Sequence, residues 1–94
     1  DNLDLETTIY LYIVYKHLGK DFDKENVNQL ISDAYNIEFE LNYNLYLLLE
    51  NTSYLKTAYN QIQEKADNLE SSVAAKFLSY PIPKAIVEAW DNVK

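Results

Sequence analysis

The chain has no arginine, no cysteine and no methionine, and only one glycine and two prolines in its 94 residues. Each gap excludes something. Arginine is the usual side chain for bidentate contacts to phosphate and guanine, so a chain whose eight bases are all lysine is poorly equipped for nucleic acid. Without cysteine there is neither a disulfide framework nor a thiolate zinc site, and the redox compartment stays open. So little glycine and proline argues for helix, because sheets need more turn chemistry. No apolar run approaches the length of a membrane span and no signal-peptide pattern is present, which reads as a cytoplasmic protein away from membranes. The chain begins at Asp1 without a methionine, and this reads as a removed initiator or a piece of a longer chain. Lysine in place of arginine, with ten asparagines, also carries the mark of an AT-rich genome.

Codon bias does not explain the acids. Fifteen carboxylates stand against the eight lysines, for a formal net charge of -7, and nine tyrosines accompany them. Hydrophobic residues make up 48% and aromatics 14%, enough for one folded domain with a modest core rather than a disordered chain. Residues 1–94 therefore read as a single all-α domain.

Five helices are expected. The first runs from about Leu5 to Leu18, between a capping Asp4 and a terminating Gly19. Its centre, Ile9 to Tyr15, is β-branched and aromatic and would suit a strand on propensity alone, but the cap and stop favour helix. Being apolar nearly all round, it should lie centrally or in a dimer seam. Asp23 caps a second helix carrying Val27, Leu30, Ile31 and Ala34 at helical spacing and ending near Tyr35–Asn36. A third, Glu38 to Glu50, sets Leu41, Leu45, Leu48 and Leu49 on one stripe. After Asn51-Thr52-Ser53, with Ser53 as cap, a long amphipathic helix spans about 54–79. Its stripe of Leu55, Ala58, Tyr59, Ile62, Ala66, Leu69, Val73 and Phe77 lies within an arc of roughly 100°. Tyr80-Pro81-Ile82-Pro83 ends it, and Pro83 fits the first turn of a last helix with Ile86, Val87, Trp90 and Val93 inward.

Chemical signatures are weak. A calcium loop begun at Asp21 would need glycine sixth and glutamate twelfth, where the chain has Asn26 and Ser32. His17, the only histidine, has no nucleophile near it in sequence and suits a helix C-terminus. Glu38 and Glu40, two apart at a helix start, point in different directions and answer the helix dipole. No catalytic residue, cofactor or metal is expected, and an enzyme would require catalytic groups outside this chain.

The third helix carries the sharper expectation. Opposite its leucine stripe stand Phe39, Glu40, Tyr43, Tyr46, Leu47 and Glu50, too many to bury in a small domain. Tyrosine is enriched at interface hot spots, and flanking carboxylates steer a basic partner. The expected contact residues are Phe39, Glu40, Tyr43, Leu47 and Glu50. The expected function is a non-enzymatic protein–protein interaction domain, of inhibitor, immunity or anti-defence kind, against a basic protein.

From Ile9 to Lys56, about half the chain, the sequence resembles the helix-turn-helix core of PadR-like winged-helix regulators. The likeness lies in the apolar Ile9–Leu18 helix, in Gly19 to Asp23 leading into Glu25 to Ile31, in Phe39-Glu40-Leu41 opening a recognition helix, and in Tyr54-Leu55-Lys56. It implies a dimeric DNA-binding regulator, the alternative function. The family's wing would follow Lys56, where this chain turns amphipathic and helical at once. Its recognition helix would expose Glu40, Tyr43, Asn44, Leu47 and Glu50, which oppose phosphate binding, so nucleic acid is the disfavoured partner. Lys16, Lys20 and Lys24, at i, i+4 and i+8, would be its basic face. Lys24 to Val27 and Tyr54 to Ala58 also resemble the N-terminal helical domain of acidic ribosomal stalk proteins, whose helices dimerise and clasp a partner's helix. The alanine-rich hinge and acidic tail of those proteins are missing here.

Overall fold

The computed structural model describes residues 4–94; residues 1–3 of the expected domain lie outside the described residues. Six helices follow one another: α1 (Leu5–His17), α2 (Lys24–Asp33), α3 (Phe39–Leu49), α4 (Thr52–Asp67), α5 (Ser71–Ser79) and α6 (Pro81–Val93). There is no strand among the described residues. The Ile9–Tyr15 run is helical because its ends are built for it. The Asp4 carboxylate accepts from the Thr7 N–H at 2.8 Å. At the other end Gly19, at φ 72°, closes a Schellman motif in which Lys20 N–H bonds the Tyr15 carbonyl and Gly19 N–H that of Lys16. Asp23 caps α2 by accepting from Asn26 N–H.

Helix α3 is the centre, not α1. Two clusters of buried side chains lie on its opposite sides. Ile9 and Val27 meet Leu45 and Leu48 on the first side, with Leu41 and Leu49 packed against them. Leu55, Ala58, Ile62 and Ile86 form the second cluster, against which Phe39, Tyr43 and Tyr46 pack. An α3 sequence that is apolar nearly all round is thereby explained: it serves two half-cores in a body of 44 × 27 × 20 Å. Of the two placements expected for the apolar α1, central or in a dimer seam, the central one does not hold: α1 lies outside α3 and leaves Tyr10, Val14 and Leu18 exposed along one line at i, i+4 and i+8.

The long fourth helix is two. It ends at Asp67, and Asn68 turns its side chain back to the Glu64 carbonyl at 3.1 Å, the local competition that makes Asp and Asn poor helix interiors. The chain then restarts as α5, which brings Phe77 edge-on to Phe39 at 5.9 Å and 88°. That contact is out of reach of a straight helix, and it leaves Leu69 and Val73, expected on the buried stripe, exposed. One cap also moves, and the first turn of the last helix holds Pro83 as expected. The carboxamide of Asn51, rather than Ser53, caps α4 by accepting from Ser53 N–H at 2.9 Å. Pro81 is the first residue of α6, and Pro83 is buried in the same first turn, where neither missing N–H is needed. Trp90 stacks on Tyr59 at 5.6 Å, while Val93, expected inward, is exposed.

Candidate functional site

The five expected contact residues do not share one face. Phe39 and Tyr43 turn toward α4–α6, half-buried against the second cluster, and burial raises the Tyr43 pKa, with a smaller push from Tyr46. Lys65 sits 6.0 Å from the centre of the Phe39 ring, closing that side further. Glu40, Leu47 and Glu50 remain exposed, and the structure brings them together with α1 rather than with Phe39 and Tyr43.

Two ties join α1 to α3 along this side. At one end the Tyr10 hydroxyl donates to Glu40 Oε2 at 3.0 Å. That bond, followed by burial and the nearby carboxylate charge, raises the Tyr10 pKa. At the other end Lys16 Nζ donates to the Leu47 carbonyl at 2.7 Å, the Leu48 carbonyl at 3.2 Å and Glu50 Oε2 at 2.9 Å. It thus brings positive charge to the C-terminus of α3, where the helix dipole favours it. The Lys16 bond and charge hold the Glu50 pKa below its usual value. Glu50 is also the one non-glycine residue at positive φ among the described residues, at 55°, as the C-cap of α3.

Leu47, 41% exposed, lies on α3 between these ties; on α1 the Tyr10 hydroxyl reaches α3 at Glu40, and Val14, one turn further on, is exposed. Between α1 and the first turns of α3 opens a concavity of about 320 Å³ lined by Glu6, Tyr10, Asn36, Glu38, Glu40, Leu41 and Asn44. Among the described residues it is lined by three carboxylates and no base. A second hollow, about 280 Å³, is lined by Tyr46, Leu47, Glu50 and Thr52. Among the described residues no three Asp, Glu or His side chains converge to hold a metal ion. None of the described helices is long and apolar enough to cross a membrane.

The expected basic stripe is dispersed. Lys16 is taken by α3, and Lys20 lies beyond the end of α1 in the turn that precedes α2. Lys24 begins a different helix. His17 occupies the last turn of α1, exposed, as expected for a helix C-terminus. Sequence reasoning missed Asn42, a buried polar residue within the leucine stripe. Its Nδ2 donates to the Ile37 carbonyl at 3.0 Å and to Gln61 Oε1 at 2.9 Å, while Gln61 Nε2 donates to the same carbonyl at 2.8 Å. This network pins the α2–α3 connection, and with it Asn36 and Glu38, to α3 and α4. An asparagine at a core register of a helix was the available signal.

Compared with protein-family models, with curated proteins and with solved structures, the chain gave no match.

Proposed function

We propose that this chain is a non-enzymatic protein–protein interaction domain whose acidic helical face binds a basic protein, in the manner of inhibitor, immunity or anti-defence proteins. The observation that carries this reading is the α1–α3 side. Tyr10 stands there with Glu6, Glu38 and Glu40, and Leu47 with Glu50, all of them beside an exposed Val14 on α1's outward stripe, and the nearby Lys16 is consumed internally. Apolar area supplies binding energy, and carboxylates around it supply steering and selectivity for a positive surface. Of the five residues singled out in the sequence, Glu40, Leu47 and Glu50 belong to this face. Phe39 and Tyr43 support it from behind. A cytoplasmic setting belongs to the same reading.

The test is capture from the source cell with wild-type chain, Glu40→Lys and Glu50→Lys. Wild type should retain a basic protein that is released as salt rises, and both variants should retain less. Equal capture by all three chains would overturn the reading.

The alternative is a helix-turn-helix DNA-binding regulator with α3 as recognition helix, dimerising through the first and last helices, α1 and α6. The outward stripe of Tyr10, Val14 and Leu18 favours it, since it would serve as a dimer seam. Retardation of the chain's own promoter DNA at low salt, lost steeply as salt rises, would support it. The absence of any shift would remove it.

A further inference from the structure

The apolar stripe of α4 does not stop where α4 stops. Leu55, Tyr59, Ile62, Ala66, Leu69 and Val73 follow one another at alternating spacings of four and three, a heptad pattern that crosses the break between α4 and α5. Nothing in the break itself forbids a continuous helix. Residues 52–79 contain no glycine and no proline, and none of them is at positive φ. Asn68 and Glu70 keep φ at -92° and -60°, and their departure from helix lies in ψ, at 2° and 152°. Local support for the bend is slight. Asn68 bonds back to the Glu64 carbonyl at an exposed site, while Glu70, the N-cap of α5, makes no side-chain cap bond.

The contacts that hold the bend lie far off in sequence. Helix α5 has no fully buried residue and is held through Phe77 and Leu78 against the second cluster. Helix α6 is held by Ile86 within that cluster and by Trp90 on Tyr59. A copy that straightened residues 52–79 would carry both helices off Leu55, Ala58 and Ile62 and open that half-core to water. The same two helices of a second copy restore each lost contact, because these are contacts the chain already makes with itself. Charge permits the exchange. Residues 51–94 carry five lysines and five carboxylates, so the net charge of -7 belongs to residues 1–50. Helices α1 and α2 lie across α3 from the second cluster, which keeps the charged parts of two copies away from the exchanged helices. Leu69 and Val73, exposed at 36% and 47% in the bent chain, are the residues that straightening adds to the α4 stripe.

We propose that this chain forms a dimer by exchanging α5 and α6. Residues 52–79 straighten in both copies, and α6 of each packs on α4 of the other. The two hinges then run antiparallel past one another, with Leu69 of one copy beside Val73 of the other. The α1–α3 side takes no part, so the dimer presents it twice and the exchange does not depend on what binds there.

Hinge variants test this. Ser71→Pro should fix the bend: proline suits the first position of α5, and Glu70 already has the extended ψ that a residue before proline needs. The same proline interrupts a straight helix. Asn68→Ala/Ser71→Ala favours the straight form instead. Wild type refolded from urea at high protein concentration should give a dimer in sedimentation, and Ser71→Pro should give only a folded monomer. The alanine pair should raise the association constant about tenfold to thirtyfold, since its gain in helix propensity counts once in each copy. In a dimer refolded from isotope-labelled and unlabelled chains, isotope-filtered nuclear magnetic resonance should find the Trp90–Tyr59 contact, 5.6 Å between ring centres, running from one copy to the other. Wild type and alanine pair that both stay monomeric would overturn the proposal, and so would a dimer that Ser71→Pro still forms. Trp90–Tyr59 contacts confined to single copies would also overturn it, since they would mean faces docked without exchange.

Discussion

Replacing Asn42 by alanine should cost far more than a polar-to-alanine change on a helix ordinarily does. Asn42 is 4% exposed and gives up two hydrogen bonds, at 3.0 Å to the Ile37 carbonyl and 2.9 Å to Gln61 Oε1. Each such bond is worth about 0.5–1.5 kcal/mol net, and a partner left unsatisfied adds to the loss. The Ile37 carbonyl keeps its 2.8 Å bond from Gln61 Nε2, so the orphan is Gln61 Oε1, which is half-buried and partly open to water. The sum is about 2–3 kcal/mol, a fall in melting temperature of roughly 10–20 °C for a domain of this size. Gln61→Ala removes two bonds, the one it donates to the Ile37 carbonyl and the one it accepts from Asn42 Nδ2, but leaves Asn42 and that carbonyl bonded to each other, and should cost about 1–2 kcal/mol. Because the three groups form one network, the double variant should fall short of the sum by about 1 kcal/mol. Urea denaturation of the four chains in the cycle measures this. Additivity within about 0.5 kcal/mol, or an Asn42→Ala cost below about 0.5 kcal/mol, would refute the network.

Three further outcomes are expected. Since the Glu50 pKa is lowered in the folded chain, the stability it contributes is complete above its ordinary value of 4.5 and is lost as pH falls through the lowered one. The gap in urea midpoint between wild type and Glu50→Gln should therefore close on acidification from pH about 6 to about 3, and a gap independent of pH would contradict the Lys16–Glu50 tie. Gly19→Ala meets no atom within 4 Å, so its cost is the backbone alone, about 1 kcal/mol at φ 72°, with Gly19→Asn costing less by thermal denaturation. Thr8 is 1% exposed and its hydroxyl has no partner among the described residues, so Thr8→Val should leave the melting temperature unchanged or raise it, the gain being about 1 kcal/mol. A drop of that size would mean that the hydroxyl is satisfied.

What could be read in the chain beforehand followed local chemistry. Asp4, Asp23 and Gly19 announce their helix ends because capping and positive φ are decided within a few residues. Val27, Leu45, Leu48, Leu55 and Ile62 announce their burial by spacing. The all-helical class follows from the same signals. The division of α4 from α5 was hidden because the stripe through Leu69 and Val73 continues across the break, and only the Phe77–Phe39 contact selects the bend. The face around Tyr43 was misplaced for a related reason. A wheel shows which residues are apolar but not how many neighbours a helix has, and α3 has them on both sides. Lys16 was invisible as the cap of another helix, since its partners lie 31 to 34 residues away in sequence. Glu40, Leu47 and Glu50 were legible as exposed, but the α1 residues that complete their face were not.

The docking face is tested most directly by site-specific photo-crosslinking in the source cell. A photoreactive residue is placed at Val14 or Leu47 on the α1–α3 side, or at Val73 or Tyr80 on the α5–α6 side. All four positions have similar exposure, between 41% and 52%. The same basic protein should be trapped from Val14 and from Leu47 and not from Val73 or Tyr80. Trapping from Val73 or Tyr80 alone, or a trapped protein with an acidic surface, would contradict the assignment.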